Sequence, residues 1–330
     1  MVSINALIEY YNVDVHSFSV SKNFTYIPPN TDKFYTYKLS DYNKKELMNV
    51  ILTINPEIIV VSGWFISEYV WVSKKIKNKL NIPIVSYSDT QWRGDWSQRI
   101  NSMISPFHLK KAFSHIWASG VYQYEYARKL GFSKDQIIFN SLSCDIKKFQ
   151  ELPLKSGEDY PKNFIYIGRF AEEKGLGYLL EAWGLIENLD GWTLTLIGDG
   201  ELKKEFLNKK NVIVKDFMKH EELRLELNKS GCFILPSIYE PWALVIHEAA
   251  ASGLPIICTE VCGAAPHFVI DGFNGCKVKP ENSLALKQAM ERIIKMNFES
   301  LENFSKRSRE LAQNITPERG AANLMSLLLK

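Results

Sequence analysis

Short β-branched runs alternate with amphipathic stretches of helix length along the whole chain, the pattern of parallel α/β sheets. In the first half, strand candidates fall at 13–18, 58–61, 84–88, 115–118 and 137–139, with helical spacing at about 42–54, 66–80 and 121–130. Residues 156–162, charged and carrying Gly157 and Pro161, read as a linker. The pattern then restarts, with strands at 164–168, 194–198, 212–215, 232–235 and 256–259. Helices near 175–186, 201–208, 220–228, 243–252 and 283–295 separate them. This predicts two doubly wound, Rossmann-like domains, residues 1–158 and 159–312, facing across a cleft that is the default ligand position.

The two ends refine that picture. Doubly wound domains usually open on a buried strand, whereas this chain opens with a helix-like pattern at 4–11 and only then the strand at 13–18. The first domain either lacks its first strand or begins with a helix. Near the other end, Thr316-Pro317-Glu318 supplies a cap and a proline start. Residues 313–330 are expected to form a helix packing back across the N-terminal domain.

Composition narrows the function classes. Forty Lys+Arg against 37 Asp+Glu leave a net charge of +3 over 330 residues, too balanced for a dedicated nucleic-acid binder. With 46% hydrophobic and 23% charged residues, the chain is neither disordered nor of low complexity. Its five cysteines show no Cys-x-x-Cys spacing, which argues against a disulfide framework or a zinc site and suits a reducing cytosol. Glu9 and Asp14 interrupt the opening apolar residues, and the first lysine is Lys22, so no signal peptide is expected. The longest apolar runs, such as Ile58-Ile59-Val60-Val61, are far below the roughly 20 residues of a spanning helix. A cytoplasmic protein is expected, at most peripheral at the inner face of a membrane.

Two segments carry the strongest chemistry. In Gly168-Arg169-Phe170-Ala171-Glu172-Glu173-Lys174-Gly175 a strand ends, a polar loop bears two cations, and a helix begins. A forked guanidinium and a point-charge ammonium at such a place suit a diphosphate, although a solvated surface loop reads the same on spacing alone. The second segment runs from Leu235 through Glu240-Pro241-Trp242-Ala243-Leu244 to Glu248 and Gly253. Glu248 falls inside an apolar helix, where an unsatisfied carboxylate is costly. Eight residues of helix at about 1.5 Å each put Glu240 and Glu248 at most about 12 Å apart, a span for a sugar on one and a ribose on the other. The plainer alternative is a capping Glu240 and a Glu248 paired with a lysine. Two weaker signals are Gly198-Asp199-Gly200, whose glycines allow close backbone approach, and the turn Cys262-Gly263-Ala264-Ala265-Pro266.

Taken together, residues from about 163 to 283 resemble the nucleotide-sugar-binding domain of a retaining GT-B glycosyltransferase of family 4, the group 1 glycosyl transferases. The matching residues are Gly168-Arg169, Glu173-Lys174-Gly175, Leu196-Ile197-Gly198-Asp199-Gly200, Glu240-Pro241 with Glu248, and Asp271-Gly272-Phe273-Asn274-Gly275. The resemblance implies that Arg169 and Lys174 bind the donor diphosphate, Glu240 the transferred sugar and Glu248 the ribose. It further implies donor contacts from Gly168, Gly198 and Asp199 and from the amides of Trp242, Ala243 and Leu244, with the base stacked at Phe217 and Met218. Glu240, Arg169 and Lys174 are the expected catalytic residues. No covalent nucleophile is implied and, because the chain has no Asp-x-Asp, no metal or other cofactor is expected. The chain departs from the family where glycines and a glutamate are usual, carrying Gly263-Ala264-Ala265-Pro266-His267 instead.

In the first half, Asp89, Gln91, Trp92 and Arg93 follow the strand at 84–88 and are the acceptor-side candidates, together with Trp96. A packed aromatic loop is the competing reading. Arg99, His108, Lys110 and Lys111 add a basic stretch, read either as a solvated helix face or as peripheral contact with lipid phosphates. The expected partners are a nucleotide-sugar donor and a glycan or lipid-linked acceptor in surface polysaccharide assembly, with no nucleic acid. The rivals are a catalytically impaired glycosyltransferase-like subunit and a dinucleotide-dependent oxidoreductase. The second is disfavoured because no Gly-x-Gly-x-x-Gly follows a strand.

Overall fold

The structure, a computed structural model, describes residues 2–20 and 31–329. The chain forms two compact units, Met1–Ser143 with Ile315–Lys330, and Cys144–Asn314. Residues 144–158, expected in the first domain, cluster with the second, and the expected linker at 156–162 is anchored within it. There Tyr160 is buried, and its hydroxyl meets Gly231 O and Ser305 Oγ, each at 3.0 Å.

In the first unit, β1 (Val15–Ser19) and β2 (Phe34–Lys38) form a parallel pair of their own. Aromatic stacking holds them: His16 on Tyr35 and Phe18 on Tyr37, both at 4.5 Å between centroids. A four-stranded parallel sheet follows, in the order β3 (Ile59–Ser62), β4 (Ile84–Ser88), β5 (His115–Ala118), β6 (Ile137–Ile138). The helix Lys44–Ile54 begins at a capping box between Asn43 and Glu46 and stops at Asn55 in the left-handed region. Ile76, Ile84, Leu109, Phe113, Ile116 and Phe132 fill the core against β4 and β5. The helices Val2–Tyr11 and Pro317–Met325 pack together, with Ala6, Leu7, Ala321 and Leu324 closing on Val85 and Trp117. The predicted opening helix is therefore present, and it lies against the sheet rather than replacing a strand in it.

The second unit is one parallel sheet of six strands: β7 (Asn163–Ile167), β8 (Thr193–Ile197), β9 (Val212–Lys215), β10 (Cys232–Leu235), β11 (Ile256–Thr259) and β12 (Gly275–Val278). Their spatial order is β12-β11-β10-β7-β8-β9, so the direction of winding reverses between β7 and β10. Such a switch point opens a crevice at the carboxyl ends of the two strands, because their following loops leave in opposite directions. Every residue of β10 and β11 is buried, as expected of central parallel strands. The helix predicted at 201–208 tightens instead to a 3-10 turn, Lys203–Phe206, ended by Asn208 and Asn211 at φ 60° and 57°. Among the described residues, no helix is long and apolar enough to cross a membrane.

His247 ties the sheet-side helix Leu244–Ala251 to the rest of this unit. Its ring stacks on Phe268 at 4.2 Å, Nδ1 accepts from Cys144 N at 3.1 Å, and Nε2 donates to Ala312 O at 3.0 Å. That arrangement needs the neutral ring, and burial lowers its pKa from 6.5 to about 4. The unfolded chain protonates this histidine below pH 6.5 while the folded one does not, so stability falls as pH drops towards 4. Urea unfolding at pH 7 and pH 5 should therefore differ by about 2 kcal/mol through this residue. In His247→Gln that component of the difference should vanish.

Candidate active site

The crevice at the switch point is built by backbone before side chains enter it. The amides of Ile238 and Tyr239, after β10, both donate to Glu173 O, after β7, at 2.9 and 3.2 Å. Gly175, at φ +65°, lies so close that a Cβ would stand 2.1 Å from Pro236 O. Gly198 repeats the arrangement, its hypothetical Cβ 1.9 Å from Gly168 O, while Phe170 N donates to Asp199 O at 2.9 Å. The loops after β7, β8 and β10 are thus stitched into one surface, which explains why glycine occupies these positions.

On that surface Lys174 Nζ meets Glu240 Oε2 at 2.5 Å. One residue follows β7 and the other follows β10, and their side chains are only 15% and 12% exposed. A pair this dry is held by geometry: either charge alone would carry an unrepaid desolvation cost. The turn bearing Glu240 is braced from the other side, where Gly263 N donates to Glu240 O at 3.0 Å and Ala264 N to Trp242 O at 2.7 Å. The turn at 262–266, a weaker signal in the sequence, thus spends these two amides on the brace. Arg169 stands at the rim, exposed, its guanidinium 3.1 Å from Glu173. Tyr166, buried in β7, donates to Arg169 O at 2.6 Å, and burial followed by the charges of Glu240 and Glu173 pushes its phenol pKa up.

Beyond Glu240 the backbone is strained. Ala243 caps the helix Leu244–Ala251 with φ 74° and ψ 72°, a left-handed conformation worth roughly 1–3 kcal/mol of strain in a non-glycine residue. The helix N-terminus, with the amides of Trp242, Ala243 and Leu244, follows the Glu240 turn directly. Trp242 Nε1 and Ser237 Oγ are buried here with no hydrogen-bond partner among the described residues. Ser237 does not stand out in the sequence, since a serine after a buried strand carries no distinctive spacing.

Glu248 sits one turn deeper, 7% exposed. Burial raises its carboxyl pKa, opposed by His220, whose Nδ1 lies 3.7 Å away on an exposed ring. Among the described residues, no lysine pairs with it. His220 opens the helix His220–Asn228 shortly after Phe217 and Met218, so Glu248 and the expected base-binding segment adjoin. Phe217 is 77% exposed and Met218 half-buried. Lys203 links the loops after β8 and β9 by pairing with Asp216 and approaching Asp199 at 3.8 Å. Asp271 to Gly275 is a closed turn: Asp271 accepts from Lys277 N at 2.6 Å, and Asn274 bonds to Ile270, Phe268 and Ser308.

The acceptor-side candidates belong to the first unit. Gln91 is buried and Asp89 O accepts from Gln123 at 3.0 Å. Trp92 lies under the Lys129 ammonium at 4.9 Å, and Arg93 is exposed, 3.8 Å from Asp95. All four lie on the loop after β4.

Residues 148–311 match the family model described as "Glycosyl transferases group 1". A Klebsiella pneumoniae protein described as an uncharacterized 41.2 kDa protein in the cps region is 28% identical over 203 residues, 59% of this chain and 56% of its own. The amylovoran biosynthesis glycosyltransferase AmsK of Erwinia amylovora is 25% identical over 178 residues, 50% of this chain and 43% of its own. This chain thus spans about half the length of the curated relatives it matches. Among solved structures, HepE of Anabaena in complex with UDP superposes with a TM-score of 0.78 over 99% of this chain and 95% of its own, at 14% identity. A Rickettsia africae glycosyltransferase gives 0.79 over 99% and 94%, at 15% identity. The fold is that of GT-B glycosyltransferases, and the stretch 148–311 is similar to the group 1 glycosyl transferases.

Proposed function

We propose that this protein is a retaining, metal-independent glycosyltransferase of family 4 that moves a sugar from a nucleoside-diphosphate sugar to a glycan or lipid-linked acceptor in surface polysaccharide assembly. The observation that carries the proposal is the Lys174–Glu240 pair at 2.5 Å on the topological switch point. The relatives from a cps region and from amylovoran biosynthesis support the polysaccharide setting, and the UDP held by HepE supports a nucleotide donor.

In this reading the pair marks where two parts of one donor meet. Lys174 and Arg169 take the diphosphate, and Glu240 takes hydroxyls of the sugar attached to it. The amides of Trp242, Ala243 and Leu244 add fixed dipoles at the same place. Glu248 takes the ribose, and Phe217 with Met218 flanks the base. As the bond from the sugar's anomeric carbon to the phosphate oxygen breaks, negative charge grows on the departing diphosphate. Lys174, Arg169 and the helix N-terminus stabilise that charge more in the transition state than before it. The acceptor oxygen bonds to the same face of the anomeric carbon and its proton passes to the leaving phosphate, so configuration is kept without a protein nucleophile. Asp89, Gln91, Trp92 and Arg93 are assigned to the acceptor.

Three outcomes test the assignment. Glu240→Gln keeps the shape and removes the charge, and should lower kcat at least ~100-fold while nucleoside-diphosphate affinity by calorimetry changes little. Unchanged transfer kinetics would refute the role. Glu248→Gln should weaken nucleotide binding by about 10–100-fold, the worth of hydrogen bonds to a charged group. The same variant should raise the Tm of the free protein, because a carboxylate whose ionised form burial disfavours has been replaced by a neutral amide. A purely structural Glu248 would instead lower Tm and leave nucleotide affinity alone. Finally, transfer should persist in excess EDTA; a loss reversed by Mg²⁺ would contradict metal independence.

A further inference from the structure

The helix Trp96–Ile104 and the 3-10 turn Ser105–Phe107 that continues it are built inside out. At 3.6 residues per turn, Trp96, Ile100, Met103, Ile104 and Phe107 fall within one face of roughly 100°. They are 79%, 56%, 76%, 47% and 73% exposed. The polar face turns inward. Gln98 is buried, its Nε2 donating to Gln91 O at 2.9 Å and its Oε1 accepting from Arg93 N at 2.6 Å. Ser105 is buried on Leu130 O at 2.7 Å, and Asn101 donates to the Tyr126 hydroxyl at 3.3 Å. These bonds fix the rotation of the helix, so the apolar stripe faces outward by construction. Single exposed apolar side chains need no explanation, but five in a continuous stripe do.

Charge decides what covers the stripe. From residue 96 to 124 the chain contains Arg99, Lys110 and Lys111 and no Asp or Glu. Arg99 and Lys111 are exposed, and the Arg99 guanidinium lies 5.7 Å over the Trp96 ring at the edge of the stripe. Lys129, also exposed, lies on Trp92 in the loop just before the helix. A two-fold contact between copies of this chain would set these cations against their own equivalents. An anionic bilayer would meet them with phosphates, while an aromatic and aliphatic stripe suits the boundary between headgroups and acyl chains.

We propose that this stripe is a membrane-docking surface, with Trp96, Met103 and Phe107 inserted into the interfacial layer of an anionic membrane and Arg99 and Lys111 on its phosphates. The proposal goes beyond the transfer reading and does not depend on it. The purified full chain should sediment with phosphatidylcholine vesicles containing phosphatidylglycerol, far less with phosphatidylcholine alone, and less as salt rises. Trp96→Ser with Met103→Ser and Phe107→Ser should reduce vesicle affinity at least ~tenfold at an unchanged thermal melt, since these side chains are 79%, 76% and 73% exposed. Arg99→Gln with Lys111→Gln should remove the preference for phosphatidylglycerol. Wild-type protein left in the supernatant with anionic vesicles would overturn the proposal, as would equal sedimentation of the apolar triple variant. A concentration-dependent dimer abolished by that triple variant, without vesicle binding, would assign the stripe to a second copy instead.

Discussion

A lysine and a glutamate 66 residues apart can share a hydrogen bond only because backbone approaches backbone without side chains between. At the switch point, Gly175 against Pro236 O and Gly198 against Gly168 O remove the layer of Cβ atoms that would separate the loops. The remaining space is set by main-chain hydrogen bonds, Ile238 and Tyr239 onto Glu173 O among them. A side chain at either glycine would meet a backbone oxygen at 2.1 or 1.9 Å and force β7's loop away from its neighbour. The electrostatics of the site are therefore a consequence of steric economy in the backbone beside it.

Two adjacent residues on one helix show how structure and site part company. His247 and Glu248 are both buried in Leu244–Ala251. The imidazole has both nitrogens matched, to Cys144 N and Ala312 O, and a stacked phenyl ring beside it. It is a fastener. The carboxylate has an exposed histidine at 3.7 Å and a pKa raised by burial. A group kept at that cost in the free protein makes physical sense where something else completes its hydrogen bonding. The left-handed Ala243 at the head of the same helix is strain of similar kind, in the place where backbone amides face outward.

What the sequence revealed follows from which signals were local. Central strands such as Ile256–Thr259 are continuous apolar runs and were legible, and Lys174, Glu240 and Glu248 stood out as candidates because their side chains contrast with apolar or glycine-rich neighbours. The helix Phe298–Ala312 was not, because its inward face includes Ser305 and Ser308, which pack through hydrogen bonds to Tyr160 and Leu254 O rather than through apolar area. Strand β2 was hidden because its stability comes from rings across the pair, Tyr35 and Tyr37, and not from β-branched residues. Asp271 to Gly275 was legible as a motif but not as a role. Only the contacts of Asn274 with Ile270, Phe268 and Ser308 show that it closes a turn.

The helix Trp96–Ile104 was missed for the opposite reason: its apolar period points to a buried face that does not exist. Its orientation is dictated by the loop before it. Gln98 alone holds Gln91 O, Arg93 N and Gly94 N, and Asp95 caps the helix by accepting from Gln98 N at 2.9 Å. Turning the helix to bury Trp96 and Met103 would release all of these and unfold the loop that carries Gln91, Trp92 and Arg93. Loop shape and exposed stripe are thus one structural decision. Five apolar side chains left in water oppose folding, and the bonds to that loop are what keep the helix from rolling inward.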